Sequence, residues 1–207
     1  NQMKDNLLLY KTKKYIVLLL LSALLGLFSG VVAFLFYKTV TLVTGVRSNY
    51  GFIILLLPVG GLMSVHLNKL LKTGTISTNT VINSSFNNKR ITPFILPAIF
   101  ISCAITHLFG ASAGREGAAL QMGVGEASVI DRLFKLKEED RSILSICGLA
   151  SVFSALFSAP LGAAVFALEV VFTKKKTSKA YLPVFVASFV SYTISFLFLK
   201  SLLLLPA

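Results

Sequence analysis

The hydrophobic positions of the chain fall in long uninterrupted stretches, and the polar residues are concentrated between them. The first stretch, residues 15–37, holds 23 positions without a charged side chain. About 20 apolar residues are enough for a helix to cross the ~30 Å hydrocarbon core of a bilayer. Four further stretches, most of them interrupted by proline or glycine, cover residues 52–67, 94–111, 143–172 and 181–199. The pattern predicts an all-α integral membrane protein that crosses the lipid bilayer several times.

Two segments depart from the pattern of straight spans. Residues 143–172 are too many for one crossing and too few for two straight ones, so we predict two helices joined tightly at Ser158-Ala159-Pro160. The segment GASAGREGAALQMGVGEASVIDRLF, residues 110–134, starts with glycine, and its apolar part is shorter than a span. Such a segment is typical of a half-helix. The predicted fold is therefore a bundle of tilted and broken transmembrane helices.

The composition agrees with a membrane location. Hydrophobic residues make up 55% of the chain and charged residues 14%, and the mean hydropathy is +0.81. A soluble domain of 207 residues cannot bury so much apolar surface. A cleaved signal peptide is an alternative interpretation of the first stretch. A signal core has only ~7–15 apolar residues, however, and no A-x-A cleavage site follows at the expected distance.

The net charge of +12 comes mainly from four clusters of lysine and arginine. Sixteen of the 20 basic residues lie within residues 4–14, 69–90, 132–141 and 174–179. Because basic loops tend to stay in the cytoplasm, we place all four clusters there and residues 38–51 on the opposite side. Residues 1–14 are then a cytoplasmic N-terminal segment, and residues 15–207 form the membrane domain. A nucleic-acid-binding patch is the other interpretation of the charge, and we expect no nucleic-acid partner.

The sequence offers no pattern for metal binding or catalysis. Cys103 and Cys147 lie in apolar stretches without metal-ligand spacing, and His66 and His107 have no sequence partner. Paired aspartates and an H-E-x-x-H pattern are also missing from the apolar stretches. We therefore expect no metal, no cofactor and no enzymatic activity.

The decapeptide GREGAALQMG, residues 114–123, places two charged residues at membrane depth. Such residues are costly unless they are paired or hydrated, which makes them functional candidates. Neighbouring helix positions do not face each other, so a gate is favoured over a structural pair between Arg115 and Glu116. Gly114 and Gly117 are candidate hinges, and the next residues favour a helix, so Glu116 is predicted near a helix N-terminus, where anions bind. We expect Arg115 to point away and to tie the loop to nearby carbonyl groups.

Two motifs resemble the CLC family of chloride channels and proton-coupled anion antiporters. GREGAALQMG is similar to the family's Gly-Arg-Glu-Gly motif, and SAPLGAAVFALEVVF, residues 158–172, is similar to its Asn/Thr-Ala-Pro-Leu-Ala-Gly hairpin. The resemblance implies that the chain is the first of two inverted repeats in a homodimeric, multi-pass protein of the bacterial inner membrane. It also implies that Glu116 is the gating glutamate, which alternates with the transported anion and carries the proton.

The same resemblance implies a halide site at the start of two helices. Its expected residues are Asn79, Thr80, Val81, Arg115, Gly117 and Ala118. Asn79 stands where chloride-transporting members have a serine, and its side-chain amide can donate a hydrogen bond to an anion. Asparagine is also a common helix cap, and this second interpretation of Asn79 is equally open.

Three departures from the chloride pattern resemble the fluoride/proton antiporter branch of the family. Asn79 replaces the serine, Ala118 replaces a proline, and Val170 replaces a second glutamate. The transported partners implied are fluoride and a proton, in a proton-driven export of fluoride. Chloride transport by a channel or antiporter is the alternative. A further alternative is a non-transporting fragment that needs a second half.

Overall fold

The computed structural model of the chain describes residues 2–74, 77–86, 90–111, 114–172 and 178–203. Within these ranges all regular secondary structure is helical, as predicted. Two short 3-10 helices occur at Gly51–Leu56 and Ser178–Ala180. The α-helices are α1 (Gln2–Asn49), α2 (Leu57–Leu70), α3 (Thr78–Phe86), α4 (Ile95–Leu108), α5 (Arg115–Phe134), α6 (Glu138–Phe157), α7 (Pro160–Phe172) and α8 (Tyr181–Leu203).

The helices have unequal lengths. Four segments of the described chain are long and apolar enough to cross a membrane, namely Thr12–Asn49, Gly51–Leu70, Glu138–Phe157 and Ser178–Lys200. The apolar helices α4 and α7 have only 14 and 13 residues. At ~1.5 Å per residue, each is about 20 Å long and too short to cross the hydrocarbon core alone. This mixture of long and short helices confirms the predicted membrane bundle.

Helix α1 is continuous from Gln2 to Asn49, so residues 2–14 extend the first span as helix rather than preceding it. Gly26 and Gly30 do not interrupt it, because they pack closely on α8. A methyl group added at Gly26 would lie 2.6 Å from the carbonyl oxygen of Ala187, and Gly30 is similarly crowded. Small residues of this kind let helix backbones approach each other in membranes.

The predicted break between α6 and α7 is confirmed. α6 ends at Phe157, Ser158 has the left-handed φ of 54°, and α7 starts at Pro160. Proline fits this place because the first residues of a helix do not need their N–H groups for intrahelical bonds. The reversal therefore takes only two residues between the helices.

The half-helix predicted within residues 110–134 is wrong in its length. α5 has 20 residues, which corresponds to ~30 Å at ~1.5 Å per residue. Residues 118–128 are all buried, and α1, α3, α4 and α6 pack around this helix. The polar residues Gln121, Glu126 and Ser128 break the apolar pattern of the segment, but protein rather than lipid surrounds them. The sequence pattern therefore suggested too short an element.

The closest approach between α5 and α6 is at a pair of glycines. A methyl group added at Gly123 would collide with the carbonyl group of Gly148, and one added at Gly148 would collide with that of Gly123. Any larger residue at either position requires the two helices to separate. This crossing fixes α5 in the centre of the described bundle.

Serine hydroxyl groups join α6 to α8. Ser154 donates to the carbonyl oxygen of Ser188 at 2.8 Å, and Ser191 donates to that of Ser151 at 2.9 Å. All four serines are buried. Because a bilayer core offers no hydrogen-bond partners, such bonds satisfy the polar groups inside the protein.

Ion pairs gather the basic clusters at one end of the bundle. The pairs are Lys14 with Asp140 at 3.0 Å, Lys179 with Glu139 at 2.7 Å, and Arg90 with Asp131 at 3.5 Å. The three acids lie within the segment that carries the third basic cluster, residues 132–141, or directly before it. Residues from all four clusters therefore meet at the same end, as the positive-inside topology requires. Lys89 and residues 174–176 lie outside the described residues.

This topology predicts that the bundle end with the basic clusters, which includes Lys179, and the C-terminal end of α1, which includes Ser48, face opposite sides of the membrane. A cysteine introduced for the exposed Lys179 should react with a membrane-impermeant maleimide only from the cytoplasmic side, and one introduced for the exposed Ser48 only from the other side. Cys103 and Cys147 are buried and should give little background. Labelling of both introduced cysteines from the same side would overturn the topology.

Candidate functional site

Glu116 lies in the first turn of α5, as predicted. The helix begins at Arg115 after Gly114, whose extended backbone has φ −63° and ψ 120°. The first N–H groups of an α-helix have no intrahelical acceptor, and the helix dipole adds positive potential at this end. The exposed carboxylate of Glu116 therefore stands beside a place that favours negative charge.

Arg115 is also exposed, and the described residues contain no ion pair or hydrogen bond between it and Glu116. This arrangement agrees with the expectation that the neighbours are not partners. The expected link from Arg115 to loop carbonyl groups falls largely on residues 112–113, which lie outside the described residues.

The start of α3 lies directly against the start of α5. Gln121 Nε2 donates to Thr78 Oγ1 at 3.0 Å, and a methyl group added at Gly117 would lie 3.1 Å from the same oxygen. Glycine at position 117 therefore allows the two helices to approach. Two helix N-termini at one place produce a stronger positive potential than either alone, and this geometry suits an anion.

Ser77 caps α3. The backbone N–H of Thr80 donates to Ser77 Oγ at 3.2 Å, and that of Val81 donates to the Ser77 carbonyl oxygen at 3.1 Å. The capping role considered for Asn79 therefore belongs to Ser77, two residues earlier, and Asn79 is an exposed residue of the first turn.

The residues expected to bind the anion differ in their availability. The N–H groups of Thr80 and Val81 already have acceptors within the helix, and the Val81 side chain is fully buried. Ala118 is buried, whereas Asn79 is exposed and Gly117 is half-buried at the contact between α3 and α5. The structure thus brings the two predicted segments together, with Asn79, Thr80 and Arg115 exposed and Gly117 half-buried between them.

The hinge expected at Gly114 is not visible in its backbone. Its φ of −63° is one that any residue adopts, and a methyl group added there would meet no atom within 4 Å. The left-handed conformation occurs instead at Gly110, with φ 91°, directly after α4. The bend that leads into α5 therefore begins at Gly110.

Three residues at this place were not among the candidates from the sequence: Thr78 and Gln121, which join the two helix starts, and Ser77, which caps α3. A signal for Gln121 was present, because it follows Gly117 by four positions and so lies on the same face of α5. Ser77 precedes a short helical segment, which is a common capping position. Thr78 had no comparable signal, since its partner lies 43 positions away.

Comparison with known proteins gives one family. The family model described as voltage gated chloride channel matches residues 74–206, well over half of the chain. A protein of Pseudomonas syringae pv. tomato named as a chloride/fluoride channel protein is 34% identical over 177 residues, which are 84% of this chain and 39% of that protein. An uncharacterized protein of Methanocaldococcus jannaschii is 38% identical over 88 residues, which are 42% of this chain and 22% of that protein.

Two solved structures share the fold. A CLC-type fluoride/proton antiporter matches with a TM-score of 0.79 and 32% identity, covering 88% of this chain and 47% of that one. A slow cyanobacterial chloride/proton antiporter matches with a TM-score of 0.67 and 21% identity, covering 86% of this chain and 46% of that one. The chain therefore spans less than half the length of these relatives.

The contact between α3 and α5 predicts a measurable effect of Gln121. Gln121→Leu removes the hydrogen bond to Thr78, worth about 1 kcal/mol, so the amides of α3 should exchange with deuterium faster than in the wild type. Thr193→Val, which removes a hydrogen bond to a carbonyl within α8, is the control and should leave α3 unchanged. Unchanged exchange in Gln121→Leu would show that α3 is held by other contacts.

Proposed function

The chain belongs to the voltage-gated chloride channel family, and we propose that it supplies the gate and part of the anion site of a proton-coupled fluoride exporter. The observation that carries the proposal is the meeting of the α3 and α5 N-termini beside the carboxylate of Glu116. An enzyme is not required for such a role, since binding and release of an anion and a proton involve no covalent step other than proton transfer.

In this proposal Glu116 is an anion tethered at the anion site. Ionised, its carboxylate occupies the positive potential at the start of α5 and competes with the halide. When it takes up a proton it loses its charge, and the halide can replace it. A carboxyl group that alternates in this way couples an anion to a proton without a cofactor or metal.

The remaining site residues have supporting roles. The Asn79 side chain and the backbone at Gly117 and Ala118 are the proposed contacts for the anion. The exposed guanidinium of Arg115 adds positive potential near the site entrance. Thr80 and Val81 act through the helix they belong to, because their own N–H groups already donate to Ser77.

Fluoride is the proposed substrate over chloride. In its support stand Asn79, Ala118 and Val170, together with the 32% identity to a structure titled a fluoride/proton antiporter. The chloride/proton antiporter, at 21% identity, supports the fold alone. The name chloride/fluoride channel protein of the Pseudomonas relative favours a chloride channel or chloride/proton antiporter as the second candidate.

We place the transporter in the bacterial inner membrane as a homodimer, with this chain forming about half of each transport unit. The share of about half is supported by the coverage of the fluoride/proton antiporter structure, of which this chain matches 47%. A non-transporting fragment that associates with a second half is the remaining alternative.

Ion preference is tested by efflux. Liposomes that hold the complete protein containing this chain should release fluoride faster than chloride under the same proton gradient, measured with ion-selective electrodes. Empty liposomes are the control. Chloride efflux as fast as fluoride efflux would reject the fluoride assignment and favour the chloride alternative.

Coupling is tested by Glu116→Gln, which imitates the protonated carboxyl group. The variant should fold normally and lose proton-driven anion efflux, because its side chain can neither bind nor release a proton. Asn79→Ala is a companion variant and should weaken anion binding while proton coupling persists. If a proton gradient drives anion efflux through Glu116→Gln as well as through the wild type, Glu116 is only structural.

A further inference from the structure

A second carboxyl group lies inside the membrane domain. Glu126 is fully buried in the middle of α5, with an exposed fraction of 0%. It follows Glu116 by 10 positions, so at ~1.5 Å per residue the two lie about 15 Å apart along the helix. The far end of α5 reaches the end of the bundle that carries the basic clusters. Glu126 is therefore between the proposed gate and the cytoplasmic side.

The surroundings of Glu126 contain little to hold a negative charge. Ser29 of α1 donates to Oε2, and Oε1 has no hydrogen-bond partner among the described residues. None of the described ion pairs includes Glu126. The carboxyl group is therefore half satisfied and lacks a described cation.

The titratable groups on the helices around α5 do not supply that cation. α6 presents the neutral thiol of Cys147, α4 carries Cys103 and His107 at its last two turns, and α3 has no titratable residue. The lysines and arginines of α1 are at positions 4, 11, 13, 14, 38 and 47, at least nine positions along the helix from Ser29. The acidic and basic residues of α6 lie in its first turn, at the cytoplasmic end.

Asp131, five positions further along α5, shows the contrast. Its buried carboxylate lies 3.0 Å from Arg141 Nε and 3.5 Å from Arg90 Nε. Two arginine side chains therefore face the carboxylate of Asp131, whereas no described cation lies against Glu126. An unpaired carboxylate in a buried apolar site is much less stable, and the neutral acid is favoured.

The other acids of the chain are unsuited to an interior role. Of the eight acidic residues, Glu138, Glu139 and Glu169 are exposed, and Asp140 pairs with Lys14 near the surface. The Asp5 side chain lies outside the described part of the structure. Glu126 is thus the one described carboxyl group that is buried and has no described cation.

We infer that Glu126 is a second proton-binding site, which receives a proton on its way between Glu116 and the cytoplasmic side. This role rests on the proposed proton-coupled function. Protonation at Oε1 leaves Oε2 to accept the Ser29 hydrogen bond, so both charge states keep that contact. A single carboxyl group and one hydroxyl are too few oxygen ligands for a metal cation, and a proton is the ligand that fits.

A purely structural role of Glu126 would require only a hydrogen-bond acceptor of the same shape, and not a group that binds a proton. A glutamine has nearly the same shape and its amide oxygen also accepts a hydrogen bond from Ser29, so Glu126→Gln preserves the packing of α5 on α1. The glutamine amide does not take up and release a proton at the pH values at which a carboxyl group does. The variant therefore separates a proton site from a buried hydrogen-bond acceptor.

The experiment measures fluoride efflux and proton influx at the same time, in liposomes that contain the complete protein. Glu126→Gln should lose most of the proton movement that accompanies fluoride efflux, because its amide cannot take up and release a proton as a carboxyl group does. Glu169→Gln, an exposed carboxyl in the same domain, is the matched control and should keep the wild-type ratio. Glu116→Gln is measured in parallel and tests the gate independently.

The outcomes are distinct. An unchanged ratio and pH profile in Glu126→Gln, with coupling lost in Glu116→Gln, would overturn the role of Glu126 and leave the proposed gate intact. A lost ratio in Glu126→Gln with coupling kept in Glu116→Gln would reject the gate and, with it, the path from Glu116 to Glu126. Unchanged proton-to-fluoride ratios in both variants would reject the role of Glu126 and the gate at Glu116.

If Glu126→Gln fails to fold, Ser29→Ala provides the second test. Loss of the donor to Oε2 disfavours the ionised carboxylate, so the pH dependence of proton transport should move toward higher pH while fluoride release at low pH persists. Ser22→Ala, which removes a hydroxyl seven positions earlier on α1 that bonds to the Leu18 carbonyl, is the control. A profile that is identical in Ser29→Ala, Ser22→Ala and the wild type would overturn the inference.

Discussion

Polar groups at membrane depth must find their partners inside the protein, and the fold is organised around this constraint. α5 carries Gln121, Glu126 and Asp131, which lipid could not accommodate. The other helices therefore enclose it, and the glycine pair at positions 123 and 148 allows α6 to come close enough to do so. The serine hydrogen bonds between α6 and α8 extend the same principle to the next layer.

The candidate site is a consequence of how α5 is held. Because the body of the helix is buried, its N-terminus is presented at a fixed place, and the short helix α3 begins against it through Thr78 and Gln121. The positive ends of the α3 and α5 dipoles then lie close together, in the same region as Glu116. The same enclosure isolates Glu126 from water and from cations. One packing arrangement thus creates an accessible carboxyl group at the end of α5 and an inaccessible one in its middle.

The described helices differ in how far protein encloses them. The segment Gly51–Leu70 has little burial within the described residues, whereas α6 is largely enclosed. Apolar side chains that lipid can cover need no protein partner, whereas the polar side chains of α5 do. The matched parts of the two antiporter structures are 47% and 46% of their chains.

The sequence by itself determined the features that depend on neighbouring residues. Apolar length indicated the spans, proline and a short polar joint indicated the break at Ser158, and glycines before a helix-forming run indicated the position of Glu116. The basic clusters indicated which residues meet at one end of the bundle, and the side of the membrane that this end faces stays a prediction. The family followed from two motifs. Tertiary structure alone decided the full length of α5, the cap at Ser77 in place of Asn79, and the bend at Gly110. It also decided the meeting of Thr78 with Gln121 and of Ser29 with Glu126, residues 43 and 97 positions apart. The physical reason is that local patterns report whether a residue is apolar, whereas the surroundings of a polar residue in a membrane protein depend on which distant helix packs against it.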